Sequence, residues 1–572
     1  MNSKTLIRQY FSTWKMIARR YDHALRDMII LGVILVFHTL LSVGVPYIMK
    51  EIVDLSKAGS TQLQLTELWS WANLYTLAAA FSLGWLMMHL LNHAQGVLSA
   101  VVQIKLETSV LYQSLGKYFD LKFSEQKKIE TGVISSDLWR GSEAFATITY
   151  TVLFVLLPIL FQIFSIVFIL TRSIDLVYAF IFLVFAVLTF AINIFVAFRS
   201  QDVFTQYYDA QNQTNQFLIE KIQHHADVKA NAATVHEMHQ FDSKVTHFQT
   251  ALIRTNVKLA LYMVLQVLFV GLFLLVFMLM TVHLFRDQQV TTGDFVLISS
   301  YIVSLTMPLL LVSQSVIRLK GNFIALDKLH AYFVLPKEEI QNLRIMDSEI
   351  LYEFKNAEFY LGKNKIQHFN YQIKKGKCYV AMGQTGIGKT SFLNYLIGLE
   401  QIEKGQLLYK NIDISQQFSS TIFNEIAVVG QMPIVYSGSL RDNLIYNSPY
   451  RYSDTELEQW LAKFNLLGIL EKNQLGLNDD LQHIYKSFSG GEKQRISMIR
   501  ALLKQPKLLI MDEPTAALDE QTGLYLMPFI RSKVDSIFMI SHAQYAKQFA
   551  DEILDFGQLL TEQRLSDQGQ PL

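Results

Sequence analysis

Six stretches of this 572-residue chain contain no Asp, Glu, Lys or Arg: residues 28–48, 68–104, 144–171, 176–198, 259–285 and 295–317. A helix rises about 1.5 Å per residue, so about 20 apolar residues cross a hydrocarbon layer about 30 Å thick. Each window is long enough. Inside a bilayer the backbone has no water to bond to, which leaves helices as the economical reading of such windows. The chain is 51% hydrophobic and 17% charged, and the apolar excess lies in its first half. That excess is more than one soluble core needs. The fold class expected is therefore a membrane α-helical domain of six long transmembrane helices over 28–335, followed by a soluble domain over 349–572.

Basic residues near the span ends set the expected orientation. The N-terminal segment holds Lys4, Arg8, Lys15, Arg19, Arg20 and Arg26, the connection after the second window holds Lys105, Lys117, Lys122, Lys127, Lys128 and Arg140, and that after the fourth holds Arg199, Lys221, Lys229, Lys244, Arg254 and Lys258. The short links at 171–175 and 286–294 hold only Arg172 and Arg286. The chain reads as a multi-pass protein of a bacterial inner (plasma) membrane, with both termini and the soluble domain cytoplasmic. Residues 1–27 are amphipathic, with Ile7, Phe11, Trp14, Tyr21 and Leu25 at helical spacing, and suit an interfacial helix on the lipid bilayer. A mitochondrial transit peptide is the rival, because residues 1–20 contain no acid.

GQTGIGKT at 383–390 follows the strand-like run Cys378–Met382 and precedes the helix-like run Thr390–Leu399, the context that a phosphate loop requires. Gly383, Gln384, Thr385, Gly386, Ile387 and Gly388 would curl backbone N–H groups round the phosphates of ATP. Lys389 would reach the β and γ oxygens, and the Thr390 hydroxyl would hold magnesium. KLLIMDEPTAALD at 507–519 is an apolar strand ending in Asp512 and Glu513. One carboxylate can complete the magnesium shell while its neighbour addresses the attacking water. The expected soluble domain is thus an α/β P-loop ATPase.

Between these runs stands SFSGGEKQR at 487–495. Together the three resemble the ABC-transporter ATPases, with Phe488 where that family usually has leucine and with Ser489, Gly490 and Gly491 retained. The resemblance implies that this signature loop completes the nucleotide site of a second subunit, either a second copy of the chain or a related half-transporter. It also implies a Q-loop at Gln431, which would join Thr390 and Asp512 at magnesium, a D-loop acid at Asp519 and a switch histidine at His542. Members of the family usually stack an aromatic of the first strand on adenine. Aligning FKNAEFYLG (354–362) puts Leu361 there, with Tyr360 next door. A one-residue shift in a strand turns a side chain to the opposite face, so Tyr360 substitutes only if a bulge re-aims it. The family's exporters carry coupling turns between long helices; here these would lie at about 123–131 and 209–217, the alternative being solvated loops.

The membrane half resembles the mitochondrial-type (ATM-type) half-transporters through residues 42–54, 140–163 and 291–309. The positions with which that branch contacts glutathione read Met263, Val264, Leu265 and Gln266 in the fifth span and Pro308, Leu309 and Leu310 in the sixth, while Arg199 matches one of its two arginines. Polar groups inside spans are costly against lipid, which makes Gln162, Asn193, Gln266 and Gln314, with Arg199 at the inner mouth, the candidate substrate cavity. His89 and His93 stand four apart, a metal-ligand spacing with no cysteine or carboxylate alongside, and helix-to-helix bonding is the competing role. The expected activity is ATP-driven export of a neutral or amphipathic small molecule, peptide or conjugate. A lipid flippase or an ATP-gated regulator is the alternative. A net charge of +1 offers no electrostatic footprint for nucleic acid, and Cys378, the single cysteine, allows no intrachain disulfide.

Overall fold

The computed structural model describes residues 3–17, 20–57, 74–199, 201–287, 289–338, 347–415, 420–473, 475–481, 488–514 and 520–567. The chain divides into two compact units, Met1–Phe119 with Ile129–Leu335, and Asp120–Lys128 with Pro336–Leu572.

The first unit is built from α1 (Ser3–Ile17), α2 (Ala24–Lys57) and α3 (Leu74–Phe119) and, beyond the short α4 (Phe123–Gln126) of the second unit, from α5 (Thr131–Tyr150), α6 (Leu157–Ser173), α7 (Leu176–Arg199), α8 (Gln201–Gln223), α9 (His225–Ala230), α10 (Thr234–Arg286) and α11 (Thr292–Val334). Among the described residues, four rods are long and apolar enough to cross a membrane: Ala24–Ser56, Leu74–Phe119, Thr131–Ser173 and Thr234–Arg286. Leu176–Ile192 and Thr292–Leu305 are shorter apolar stretches within α7 and α11. The rod from α5 to α6 runs through a π-turn at Thr151–Leu156, just ahead of Pro158. Proline lacks the N–H and crowds the carbonyl four residues back, and a wider turn relieves both faults.

Two clusters hold this unit together. In one, rings from α7 and α10 interleave, Phe185 stacking on Phe273 at 3.7 Å between centroids. In the other, Ile17, Val110, Phe145, Leu326 and Leu329 join α1, α3, α5 and α11. Gly141 allows that approach: a Cβ there would lie 2.6 Å from Leu329 Cβ.

The structure moves two expectations. Residues 209–217 are continuous helix within α8, and the reversal falls at His224–Ala233 around α9. Asp209, Asn212 and Asn215 read as turn residues by type, yet no Gly or Pro breaks the helix there; the break comes where Ala232 takes φ 52°. The amphipathic segment is also divided. Helix α1 ends at Ile17, and Leu25 already belongs to α2. Its packed face is Tyr10, Thr13, Trp14, Met16 and Ile17, with Ile7 and Phe11 turned outward.

The second unit contains strands β1 (Ile350–Leu361), β2 (Asn364–Lys374), β3 (Cys378–Met382), β4 (Lys404–Tyr409), β5 (Ile412–Asp413), β6 (Ile426–Val429), β7 (Leu508–Asp512), β8 (Ser536–Ile540) and β9 (Glu552–Asp555). An antiparallel sheet of order β2-β1-β4-β5 accompanies a parallel sheet of order β6-β7-β8-β3-β9. Alternation along the parallel strands feeds two cores. Tyr379, Ala381, Leu508, Ile510, Phe538 and Ile540 face one, and Cys378, Val380, Leu509, Met511, Ile537 and Met539 face the other. Burial on both faces is what makes these strands read as unbroken apolar runs. Helix α12 (Lys389–Leu396) follows β3, α13 (Gly490–Leu503) precedes β7, and α14 (Glu520–Lys533) follows it.

Residues Asp120–Lys128 pack as part of this unit. Leu121 and Lys337 form an antiparallel bridge, the Lys122 N–H donates to the Pro336 carbonyl at 3.0 Å, and the Glu338 N–H donates to the Asp120 carbonyl at 2.9 Å. Lys127 reaches Glu400 at 3.4 Å.

Candidate nucleotide site

Three glycines shape the loop between β3 and α12, with φ of 152° at Gly383, 84° at Gly386 and 105° at Gly388. Such angles suit residues without a Cβ. At Gly388 the close approach matters as well, because a Cβ would collide with the backbone of Leu361 and Gly362 at the end of β1. The loop is thereby pressed against the first strand.

Lys389 is the first residue of α12 and only 6% exposed. Its ammonium donates to the carbonyls of Gly383 at 2.9 Å and Gln384 at 3.0 Å, spanning the loop it follows. Burial lowers its pKa from the ordinary lysine value, against the pull of Glu513 and Asp512. The Thr390 hydroxyl donates to Asp512 Oδ2 at 3.0 Å. Burial also raises the pKa of Asp512, countered by that hydrogen bond. A hydroxyl and a carboxylate oxygen side by side suit a hard cation such as magnesium, which prefers oxygen ligands.

Glu513 follows at φ 47°, a conformation uncommon for glutamate. Its Oε2 accepts from Gln431 Nε2 at 3.1 Å, and its Oε1 lies 3.3 Å from His542 Nε2. His542 Nε2 is also 2.9 Å from Lys389 Nζ. Gln431, Glu513, His542 and Lys389 thus form one continuous chain of contacts, drawn from positions after β6, β7 and β8 and from the start of α12. The carboxylate can take a proton from a water, and the imidazole can accept or donate beside it.

Ser489 caps α13 in a capping box, its N–H donating to Glu492 Oε2 at 2.7 Å and its hydroxyl accepting from the Glu492 N–H. Gly490 and Gly491 open the helix, where amide N–H groups lack partners within it and the helix dipole favours an anion. Phe488 is 5% exposed and packs into the adjacent core, so an aromatic here does the anchoring work of an aliphatic residue. Among the described residues, no hydrogen bond or ion pair links Ser489, Gly490 or Gly491 to the contact chain. Asp519 lies outside the described residues.

At the end of β1, Leu361 is 1% exposed and belongs to the core, whereas Tyr360 is 42% exposed on the other face. In the first unit Gln162 and Gln266 are buried within the bundle. The side chains of Asn193, Arg199 and Gln314 lie outside the described residues.

Sequence reasoning missed the link from this site to residues 120–128. Glu400 accepts from Lys127 and from Asn394 Nδ2 of α12, the latter at 3.3 Å, while Glu338 Oε1 accepts the Phe123 N–H at 3.3 Å. No motif marks Glu338 or Glu400, and only the fold brings them to the turn.

Two family models match the chain, one described as ABC transporter over residues 366–516 and one as ABC transporter transmembrane region over residues 28–309. An ATP-dependent lipid A-core flippase 2 of Colwellia psychrerythraea is 27% identical over 49% of this chain and 49% of its own length. ATP-binding cassette sub-family B member 6 of Xenopus tropicalis is 23% identical over 69% of this chain and 47% of its own. The chain spans about half the length of these curated relatives. A solved bacterial Atm1-family ABC exporter with ATP bound shares the fold, with a TM-score of 0.80 at 18% identity over 94% of this chain and 95% of that one.

Proposed function

We propose, for a chain that belongs to the ABC transporter family, that it is an ATP-driven exporter half-transporter working as a dimer by alternating access. The observation that carries this reading is the contact chain Gln431–Glu513–His542–Lys389 beside the Thr390–Asp512 pair. In it the Glu513 carboxylate, read as the base, and the Lys389 ammonium, read as the phosphate-binding group, each contact the His542 imidazole.

In this reading Lys389 and the amides of Gly383 to Thr390 hold the ATP phosphates, and Thr390, Asp512 and Gln431 hold magnesium. When bound, the ion would neutralise phosphate charge there. Glu513 orients and deprotonates the attacking water, and His542 steadies the γ-phosphate edge. Ser489, Gly490 and Gly491 present α13 to the nucleotide of a second subunit, and Asp519 takes the D-loop role that the family pattern gives it. Residues 120–128 then convey closure of the nucleotide site towards the spans. The His224–Ala233 reversal supplies the second such turn. With six spans, both termini and the ATPase domain would lie on the inner side of a bacterial plasma membrane.

Nothing in this chain's motifs is degenerate enough to require a repairing partner, which supports a homodimer. Expressed alone, the chain should purify as a dimer with ATPase activity in lipid; a monodisperse monomer, or an inactive dimer, would point to a related half-transporter as partner. The cargo is a neutral or amphipathic molecule, peptide or conjugate. The flippase relative supports a second reading in which the cargo is a lipid. Cargo-stimulated ATPase activity in nanodiscs, with and without added lipid extract, separates the two. Stimulation confined to lipid extracts favours the flippase, and hydrolysis indifferent to every candidate cargo opposes both.

A further inference from the structure

Helix α1 has two faces of different chemistry. The packed one is fastened into the bundle at three points far away in the chain: Tyr10 Oη lies 2.9 Å from Thr149 Oγ1, Gln9 Nε2 donates to Asp327 at 2.7 Å, and Thr13 Oγ1 meets His330 Nε2 at 2.8 Å. The other face carries Ile7, Arg8, Phe11, Ser12 and Lys15, all exposed. They recur at helical spacing, so the outward stripe is part apolar and part cationic.

Further cations lie beyond α1. The Arg20 guanidinium lies 4.0 Å from the centroid of Tyr112 on α3. Arg26, at the start of α2, is 63% exposed, and Lys105 of α3 is 48% exposed. Arg20, Arg26 and Lys105 therefore gather beside Tyr21, Asp22 and Asp27, while Arg8 and Lys15 lie further along the outward face of α1, whose inward face meets Asp327. Asp27 is 8% exposed and accepts from Tyr21 at 2.7 Å, Lys105 at 3.0 Å and the guanidinium of Arg26 at 3.2 Å. The corner keeps a cationic excess. Exposed Leu25 and Ile104 lie among these charges on the helices that continue into the apolar spans, which puts the corner at the membrane plane.

We propose that this α1–α3 corner is a binding surface for the headgroups of anionic phospholipids in the leaflet at the N-terminal end of α2. Arginine presents a planar fork that matches a phosphate, and the Arg20 guanidinium packs against the Tyr112 ring. Ile7 and Phe11 enter the acyl boundary while Arg8 and Lys15 stay with the headgroups, the division of labour of an interfacial helix. An acidic soluble protein fits less well, because exposed apolar side chains alternate with the cations at the edge of the spans. Through Thr13 and Gln9, lipid held here also steadies the end of α11.

The inference rests on the reading that the apolar rods cross a bilayer, and one experiment separates the two. The full chain is reconstituted in nanodiscs of phosphatidylcholine mixed with phosphatidylglycerol, and the ratio of the two lipids it retains on extraction is measured by mass spectrometry. Failure to enter nanodiscs at all opposes the spanning reading. Entry with no enrichment of phosphatidylglycerol overturns this proposal. The expected result is enrichment that falls by about five-fold at most for each cation removed, and that is lost when Arg8→Gln, Lys15→Gln, Arg20→Gln and Arg26→Gln are combined. Enrichment that survives the combined change also overturns it. Arg20→Lys and Arg26→Lys together should retain most of it. If the combined variant does not fold, the wild-type chain still decides: enrichment must weaken as salt rises, and a salt-independent ratio overturns the proposal.

Discussion

The ammonium of Lys389 lies 2.9 Å from Nε2 of His542, although 153 residues separate them in the chain. Because the same imidazole nitrogen is 3.3 Å from Glu513, the residue that would hold phosphate and the residue that would activate water meet through one side chain. Their roles are separable by substitution. Glu513→Gln keeps the shape but loses the proton acceptor, and turnover should fall by about 10² to 10⁴-fold with ATP still bound. Lys389→Ala should weaken ATP binding itself. Near-normal hydrolysis by Glu513→Gln, measured in lipid nanodiscs, would remove Glu513 from the mechanism.

Two glycines of the phosphate loop should respond differently to alanine. At Gly386 a Cβ meets nothing within 4 Å, so Gly386→Ala bears only the cost of a left-handed backbone at φ 84°, about 1 to 2 kcal/mol. At Gly388 the Cβ also strikes the backbone of Leu361 and Gly362, which adds an overpacking cost of about 1 to 3 kcal/mol. Gly388→Ala should therefore lose more thermal stability and more ATP affinity than Gly386→Ala. Equal effects would mean that β1 and the loop are not pressed together.

Cys378 begins β3, is 2% exposed, and its N–H donates to Asp551 at 2.8 Å. Burial pushes its thiol up from the usual 9 to about 11. The folded chain therefore holds this proton to higher pH than the unfolded chain does. The stabilising difference is complete below about pH 9 and is lost as pH rises from 9 towards 11. At about pH 8, iodoacetamide should alkylate the folded chain on the order of 10²-fold more slowly than the chain in guanidinium. The single cysteine makes the label unambiguous. Comparable rates would show β3 opening under native conditions.

What could be read in advance was local. Charge-free windows and the spacing of GQTGIGKT, SFSGGEKQR and KLLIMDEPTAALD each lie within a short run, so chain order alone carries their meaning. The chemistry of a side chain does not tell whether it turns the backbone. Asn212 looked like part of a turn, yet it sits on helix α8 and accepts from Arg140 at 2.8 Å. The actual reversal uses Ala232 at φ 52°, a residue with no turn preference. Likewise, the face of α1 that packs is fixed by Thr149, Asp327 and His330, which are more than a hundred residues away. Periodicity shows that a helix has two faces but not which one finds a partner.

The last prediction concerns adenine. The pairs Phe359↔Ile366, Tyr360↔Lys365 and Leu361↔Asn364 are in regular register, and the irregularities in β1 come earlier, the last of them between Ala357 and Phe359. No bulge separates Tyr360 from Leu361, so the two side chains keep opposite faces. Tyr360 shares its face with Lys365, whose ammonium is 6.0 Å from the ring centroid, while the Leu361 backbone adjoins Gly388 of the phosphate loop. Tyr360→Ala should accordingly leave ATP affinity almost unchanged. Leu361→Ala should cost about 2 to 5 kcal/mol of stability, as expected for a buried leucine. Leu361→Tyr should overpack the core that Leu361 fills and cost about 1 to 3 kcal/mol of stability without tightening nucleotide binding. All three belong in the Glu513→Gln background, so that hydrolysis does not confuse the affinity. A large loss on Tyr360→Ala would show that this ring swings onto the base and that the face assignment at the end of β1 is reversed.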